Sequence, residues 1–256
     1  MTAWRDARTF LAKLCGQAVA GRCPVCGAVG GIRDEAADVP GAGLCPECAV
    51  ALRIRRRGFC PGCAELYEVA DMPVTLCGEC RLRPRAWSAV GCFGGYEGVL
   101  RELVLKLKFG GAAAGLALLR EVAWRAYVFH RERADGFSEQ PPEVVTAVPI
   151  HWRRLRARGY NQSLELAKGV AGKLGVKTFS DALRKVRHTS PQSRLSARER
   201  RTNLKDAFVA KESIVAGKRV LVVDDVMTTG STLEEISRTL FRAGAARVEV
   251  LALARD

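Results

Sequence analysis

No apolar run in this 256-residue chain approaches the ~20 residues a helix needs to cross a bilayer, so a membrane-spanning helix is excluded from the expectation. A secretory leader is lacking as well. Asp6, Arg8 and Lys13 interrupt what would be its apolar region, while Trp4, Leu11, Leu14 and Ala18 match the spacing of a short amphipathic helix within residues 1–20. The expected location is therefore cytoplasmic, where disulfides are rare. Histidine is scarce: His130, His151 and His188 are the only three, and none has a clear acid partner, so none is assigned acid–base work. Acids are short too. Asp and Glu total 27 against 41 Lys and Arg, for a formal charge of +14. That excess suits nucleic acid, an anionic membrane surface or a phosphorylated ligand. Apolar content of 48% and aromatic content of 7% fit a globular chain rather than a disordered one. The length accommodates a core domain plus a small one.

Cysteine is abundant, but only at the front. Eight of the ten form four C-x-x-C pairs before residue 81: Cys23/Cys26, Cys45/Cys48, Cys60/Cys63 and Cys77/Cys80. Two thiolates separated by two residues reach one metal ion from a tight knuckle, and two knuckles complete a tetrahedron. The intervals Cys26–Cys45 and Cys63–Cys77 suit two successive zinc ribbons over residues 21–84. The first would be built on Cys23, Cys26, Cys45 and Cys48, the second on Cys60, Cys63, Cys77 and Cys80. The spacing also permits a cross-braced pairing, and four thiolates also accept iron. Such sites are structural, because four thiolates leave zinc no open position. They replace the core that so short a segment is unable to build. Four thiolates around one Zn²⁺ leave −2 per site, which lowers the formal charge to about +10. Arg53 to Arg57, between the two units, either meets a nucleic-acid backbone or offsets this thiolate charge. Cys15 and Cys92 stand alone and read as small buried apolar residues.

Residues 81–86 read as a basic linker, and beyond it strands and helices alternate. Residues 88–93 read as a strand. In 98–108, Leu100, Leu103, Val104 and Leu107 fall on one helical face; Lys106 and Lys108 could reach a phosphate, although exposed lysines on an amphipathic helix are common. A second helix is expected from about Ala112 to Arg131. Val144 to Ile150 is a continuous apolar run, typical of a strand buried on both faces. Asn161 is placed as the cap of a helix carrying Leu164, Ala167, Val170 and Leu174, with Gly172 or Gly175 at its end. Leu183 and Phe208–Val209 suggest further short strands. Val220–Val223, a helix with Leu233, Ile236 and Leu240, Gly244 as its stop, and a last strand from Val248 complete the pattern. The implied fold is α/β, a parallel sheet flanked by helices over residues 85–256.

Arg219 to Thr232 reads RVLVVDDVMTTGST. The loop and helix start offer backbone N–H groups to a phosphate. Asp224 and Asp225 repel a phosphate but accept hydrogen bonds from vicinal sugar hydroxyls, or help hold a divalent cation. Two further loops follow strands and carry arginines. One, at 151–160, holds Arg153, Arg154, Arg156 and Arg158. The other, at 187–203, holds Arg187, Arg194, Arg198, Arg200 and Arg201. Guanidinium forks suit a diphosphate. Each arginine run also has a plain reading as a solvated face.

The 219–232 segment resembles the phosphoribosyl diphosphate (PRPP) motif of type I phosphoribosyltransferases. The resemblance widens along the chain. The four knuckles, the LKF after a helix, AVPIHWRRLRARGYNQS, the glutamine and arginines of 187–203 and the terminal motif occur in the order found in the ComF family. Its members are linked to DNA uptake in natural competence, and related proteins to gluconate utilisation. The resemblance implies a double zinc ribbon on a type I phosphoribosyltransferase domain. It assigns Asp224 and Asp225 to the ribose, and Met227, Thr228, Thr229, Gly230, Ser231 and Thr232 to the PRPP loop. Gly159, Asn161 and Gln162 belong to one family signature; Gln192, Arg198, Arg201 and Asn203 belong to another. In this picture Arg153 and Arg158 join the PRPP site, and Arg187, Arg198 and Arg201 join the two aspartates in catalysis. Mg²⁺ accompanies PRPP. Two readings stand side by side: transfer of phosphoribosyl to an acceptor, and a non-catalytic role. The latter is a single-stranded-DNA-binding competence factor working with DNA-uptake helicase or processing proteins, or a PRPP sensor.

Overall fold

The computed structural model describes residues 22–29, 38–40, 42–109, 113–133, 136–152, 155–156, 159–187 and 204–256. In chain order its elements are α1 (Pro46–Ala51), α2 (Gly78–Leu82), β1 (Ala89–Gly95), α3 (Gly98–Phe109), α4 (Ala113–Glu132), β2 (Val144–Ala147) and α5 (Gln162–Leu174). They continue with β3 (Leu183–Lys185), β4 (Phe208–Ala210), α6 (Glu212–Val215), β5 (Arg219–Met227), α7 (Ser231–Arg242) and β6 (Arg247–Arg255). The expected helix within residues 1–20 lies outside the described residues.

Four strands form a parallel sheet in the order β1-β6-β5-β2. Their apolar runs follow from that position, since a parallel strand covered on both faces has no solvent side. Side chains alternate in direction along a strand, so β5 feeds two cores at once. Leu221 and Val223 pack with Leu251 and Leu253 against Leu119, Val122 and Ala126 of α4 and Leu166, Ala167 and Val170 of α5. Val220 and Val222 pack with Val248 and Val250 against Leu233, Ile236 and Leu240 of α7. Each such side chain removed from water contributes roughly 1.5–3 kcal/mol. Gly175 ends α5 in the left-handed region, at φ 68°.

Three expectations need refinement. The short strands expected at Leu183 and Phe208 form, but they do not join the parallel sheet. β3 and β4 pair with each other, antiparallel, in a separate two-stranded ribbon. Both strands run buried, exposed, half-buried, the pattern of a ribbon with one wet face, whereas the strands of the parallel sheet carry no exposed residue. Second, Asn161 precedes α5 but its side chain caps nothing; Asn161 Nδ2 donates to the Val148 carbonyl at 3.0 Å, tying the chain back to the end of β2. Third, Arg81 and Leu82 belong to α2, which shortens the linker.

The two cysteine units are internal copies. In each, a tight turn carries the first pair and a short helix starts at the second. Cys23 N–H donates to Ala28 O, and Cys60 N–H to Glu65 O, both at 2.8 Å. Gly27 and Ala64 occupy the same left-handed place, at φ 78° and 55°. Both units pack on the sheet domain. Arg55 N–H donates to Phe93 O at 2.7 Å, Lys106 Nζ to Val25 O at 3.2 Å, and Arg255 forms an ion pair with Glu65.

Candidate sugar-phosphate site

β5 runs four residues past its apolar core, from Asp224 through Met227. Asp224 and Asp225 therefore sit within the strand, with Asp224 opposite Ala252 and Met227 opposite Arg255, rather than in a loop behind it. Strand geometry fixes both carboxylates at the carboxyl edge of the sheet, where ligands gather in such folds. Ser163 Oγ, in the first turn of α5, donates to Asp224 Oδ1 at 2.9 Å, and the Asp225 N–H donates to the same oxygen at 2.9 Å. Burial, followed by the neighbouring Asp225 charge, pushes the Asp224 carboxyl up to about 8; the Ser163 hydrogen bond pulls the other way. Asp225 Oδ2 meets Lys108 Nζ at 3.1 Å.

Gly230 precedes α7 with φ 74° and brings no side chain to cap it. The first N–H of α7, that of Ser231, reaches Thr229 Oγ1 at 3.4 Å, and a helix start of this kind suits an anionic acceptor. Thr229 Oγ1 and Ser231 Oγ lie 2.8 Å apart across the turn. Asp224, Val226, Met227, Thr228, Gly230, Ser231, Thr232 and Leu233 line one cavity of about 50 Å³. On its other side the same turn opens into a cleft of about 720 Å³. Glu65, Glu79, Arg83 and Arg85 line that cleft from the second cysteine unit and its linker, and Arg238 and Arg255 from the sheet domain.

The arginine loops are represented only in part. Arg153, Arg158, Arg198 and Arg201 lie outside the described residues, as do Gln192 and Asn203. Arg156 stacks on the half-exposed Trp152 ring at 5.0 Å. Arg187 Nη2 donates to Lys205 O at 2.5 Å. Tyr160 OH donates to the Leu107 carbonyl, which joins loop 151–160 to the last turn of α3. Sequence reading missed Ser163 and Lys108 as neighbours of the aspartates. Ser163 closes the AVPIHWRRLRARGYNQS segment and Lys108 is the lysine of LKF, but neither segment on its own shows that it meets an aspartate.

The eight knuckle cysteines form two groups, Cys23, Cys26, Cys45, Cys48 and Cys60, Cys63, Cys77, Cys80; within each, all Sγ atoms lie within 4.8 Å of one another. Cys26 and Cys45 are 3.6 Å apart, and Cys63 and Cys77 3.7 Å. A tetrahedron of sulfurs around zinc at ~2.3 Å has edges of ~3.8 Å, so the residues fit that ion. Gly62 and Cys77 N–H groups point at Cys60 Sγ from 3.4 and 3.3 Å, as thiolate charge requires. Cys92 is buried, and burial pushes its thiol up to about 12.

Residues 161–256 match the family model described as a phosphoribosyl transferase domain. The chain is 38% identical over 213 residues to the DNA utilization protein YhgH of Salmonella typhimurium, covering 83% of this chain and 90% of that one. It is 31% identical to competence protein F of Haemophilus influenzae, over 82% of this chain and 96% of that one. Competence protein ComFC of Streptococcus pneumoniae is 24% identical, over 83% and 87%. A parallel sheet of phosphoribosyltransferase type behind two four-cysteine clusters, in a chain that aligns along nearly the whole of these relatives, places it in the ComF family.

Proposed function

We propose that the chain binds PRPP with Mg²⁺ and transfers the phosphoribosyl group to an acceptor, in the cytoplasm and in support of DNA utilization. One observation supports this most: the Asp224 carboxylate and a hydroxyl-rich turn opening a helix line a single small cavity, with Asp225 the next residue of the same strand. In this reading Asp224 and Asp225 take the ribose hydroxyls, and residues 227–232 take the 5′-phosphate. Arg153, Arg158, Arg187, Arg198 and Arg201 serve the diphosphate. Breaking the C1–O bond leaves positive charge on the sugar and negative charge on the departing diphosphate. The protein's contribution is position and electrostatics, with no covalent nucleophile. Mg²⁺, when bound, screens the diphosphate. Zinc holds the two cysteine units.

Incubating the pure protein with PRPP, Mg²⁺ and a panel of bases, and measuring diphosphate release, tests transfer. Turnover with one base supports it. Intact PRPP binding without turnover on any base leaves a sensor instead. A second role, single-stranded DNA binding, is favoured by the +14 charge and by relatives named for DNA utilization and competence. Backbone contacts would make that affinity fall steeply with salt; salt-independent or absent binding removes the role.

A further inference from the structure

Lys108 lies in the site without a part in gripping either sugar or 5′-phosphate. Its helix is fixed by a buried stripe, Leu100, Leu103, Val104 and Leu107. The carbonyl of the preceding residue, Leu107, takes the Tyr160 hydroxyl. The last turn of α3 is therefore held by the loop that carries Arg153 and Arg158, while Lys108 Nζ reaches Asp225 Oδ2 at 3.1 Å. Both side chains are sheltered, at 20% and 16% exposure. The ammonium also lies 5.7 Å from the centre of the Tyr96 ring, and Tyr96 is pinned at the end of β1 by its N–H to Arg255 O at 2.9 Å. A surface lysine keeps its rotamer freedom in water; this one has surrendered it to stand between Asp225 and the Tyr96 ring.

That position has a chemical meaning if the site takes PRPP, the reading on which this inference rests. With the 5′-phosphate on the 227–232 turn and the ring hydroxyls on the aspartates, the substituent on C1 leaves the ring on the side away from the phosphate turn. The hydroxyls then compete with Lys108 for Asp225, and the displaced ammonium needs a new anion. We propose that Lys108 is a diphosphate-binding residue: it is the counter-ion of Asp225 in the free protein and moves to the C1 diphosphate when the ligand enters. A compact ammonium on a flexible stem suits such a transfer between two anions.

The inference separates ligands with and without the diphosphate. PRPP and ribose 5-phosphate, each with Mg²⁺, are titrated calorimetrically into wild-type protein and into Lys108→Met, Lys108→Gln and Lys108→Arg. Loss of a charged hydrogen bond should weaken PRPP roughly ten- to hundredfold in the Met and Gln variants. Ribose 5-phosphate should bind them as well as, or better than, wild type, because its competitor for Asp225 is gone. The Arg variant should keep the preference for PRPP. Equal weakening of both ligands would mean that Lys108 only supports the fold, and unchanged PRPP affinity would mean that it does not touch diphosphate. Wild-type protein that binds neither compound overturns the sugar-phosphate reading and this assignment with it.

Discussion

Trp87 closes on Gly230: a Cβ at Gly230 would stand 3.0 Å from Trp87 Cη2, while the indole Nε1 donates to Gly62 O at 2.9 Å. One side chain thus spans from the second cysteine knuckle to the turn that opens α7. Gly230 combines a left-handed backbone with no room for a methyl group. Gly230→Ala should cost about 1–3 kcal/mol of stability and weaken ribose 5-phosphate binding, measured by thermal melting and calorimetry. A variant with unchanged melting and affinity would show that the turn tolerates a side chain.

Coupling through Trp87 makes the two metal sites unequal. Cys60→Ala and Cys48→Ala should each halve the zinc content. Only the former should disturb Trp87 emission and weaken ligands of the phosphate turn. Trp87→Phe should weaken them too, while keeping full zinc, and lose roughly 1–3 kcal/mol with the stranded Gly62 carbonyl. Equal effects of the two cysteine variants on ligand affinity would refute the coupling.

Asp224 sets a pH dependence. Its folded value, raised to about 8 from 3.8, means the native state holds a proton that the unfolded chain gives up earlier. Its contribution to stability is fullest at pH below 4 and is lost as pH rises through 8. Asp224→Asn should therefore raise the melting temperature at pH 8 and above, and the difference should shrink toward pH 4. If ligand binding requires the ionised form, PRPP affinity should climb with pH through about 8, with proton release in calorimetry. A flat profile over pH 6–9 would contradict this.

Burial sets the scale for the core. Leu166 and Leu221 are fully buried on either side of one sheet face. Leu166→Ala should cost about 2–5 kcal/mol by denaturant unfolding, with zinc content unchanged; a loss below that range would mean that the α5 contact collapses easily.

Much of the fold was readable because its signals are local. Four knuckles announce two four-cysteine groups while leaving sequential and cross-braced pairing open, the apolar run before Asp224 announces a doubly covered strand, and Leu233, Ile236 and Leu240 announce the helix behind it. The aspartates and the TTGST turn were readable for the same reason, being one contiguous segment. What was hidden depends on distant pairs. Ser163 meets Asp224, Lys108 meets Asp225, and Trp87 meets Gly230 only after the sheet has ordered its strands. Asn161 was misread because a cap and a tether to Val148 look alike in sequence. Leu183 and Phe208 were legible as short strands, but three residues carry too little pattern to show which sheet they join.

The central claim is that the Asp224–Thr232 segment holds a phosphorylated pentose. Calorimetric titration of PRPP with Mg²⁺ into wild-type protein and Asp225→Asn tests it most directly. Saturable binding by wild type, weakened at least about tenfold in the variant, is the expected result. No binding by wild type, or identical affinity in a folded Asp225→Asn protein, would contradict it.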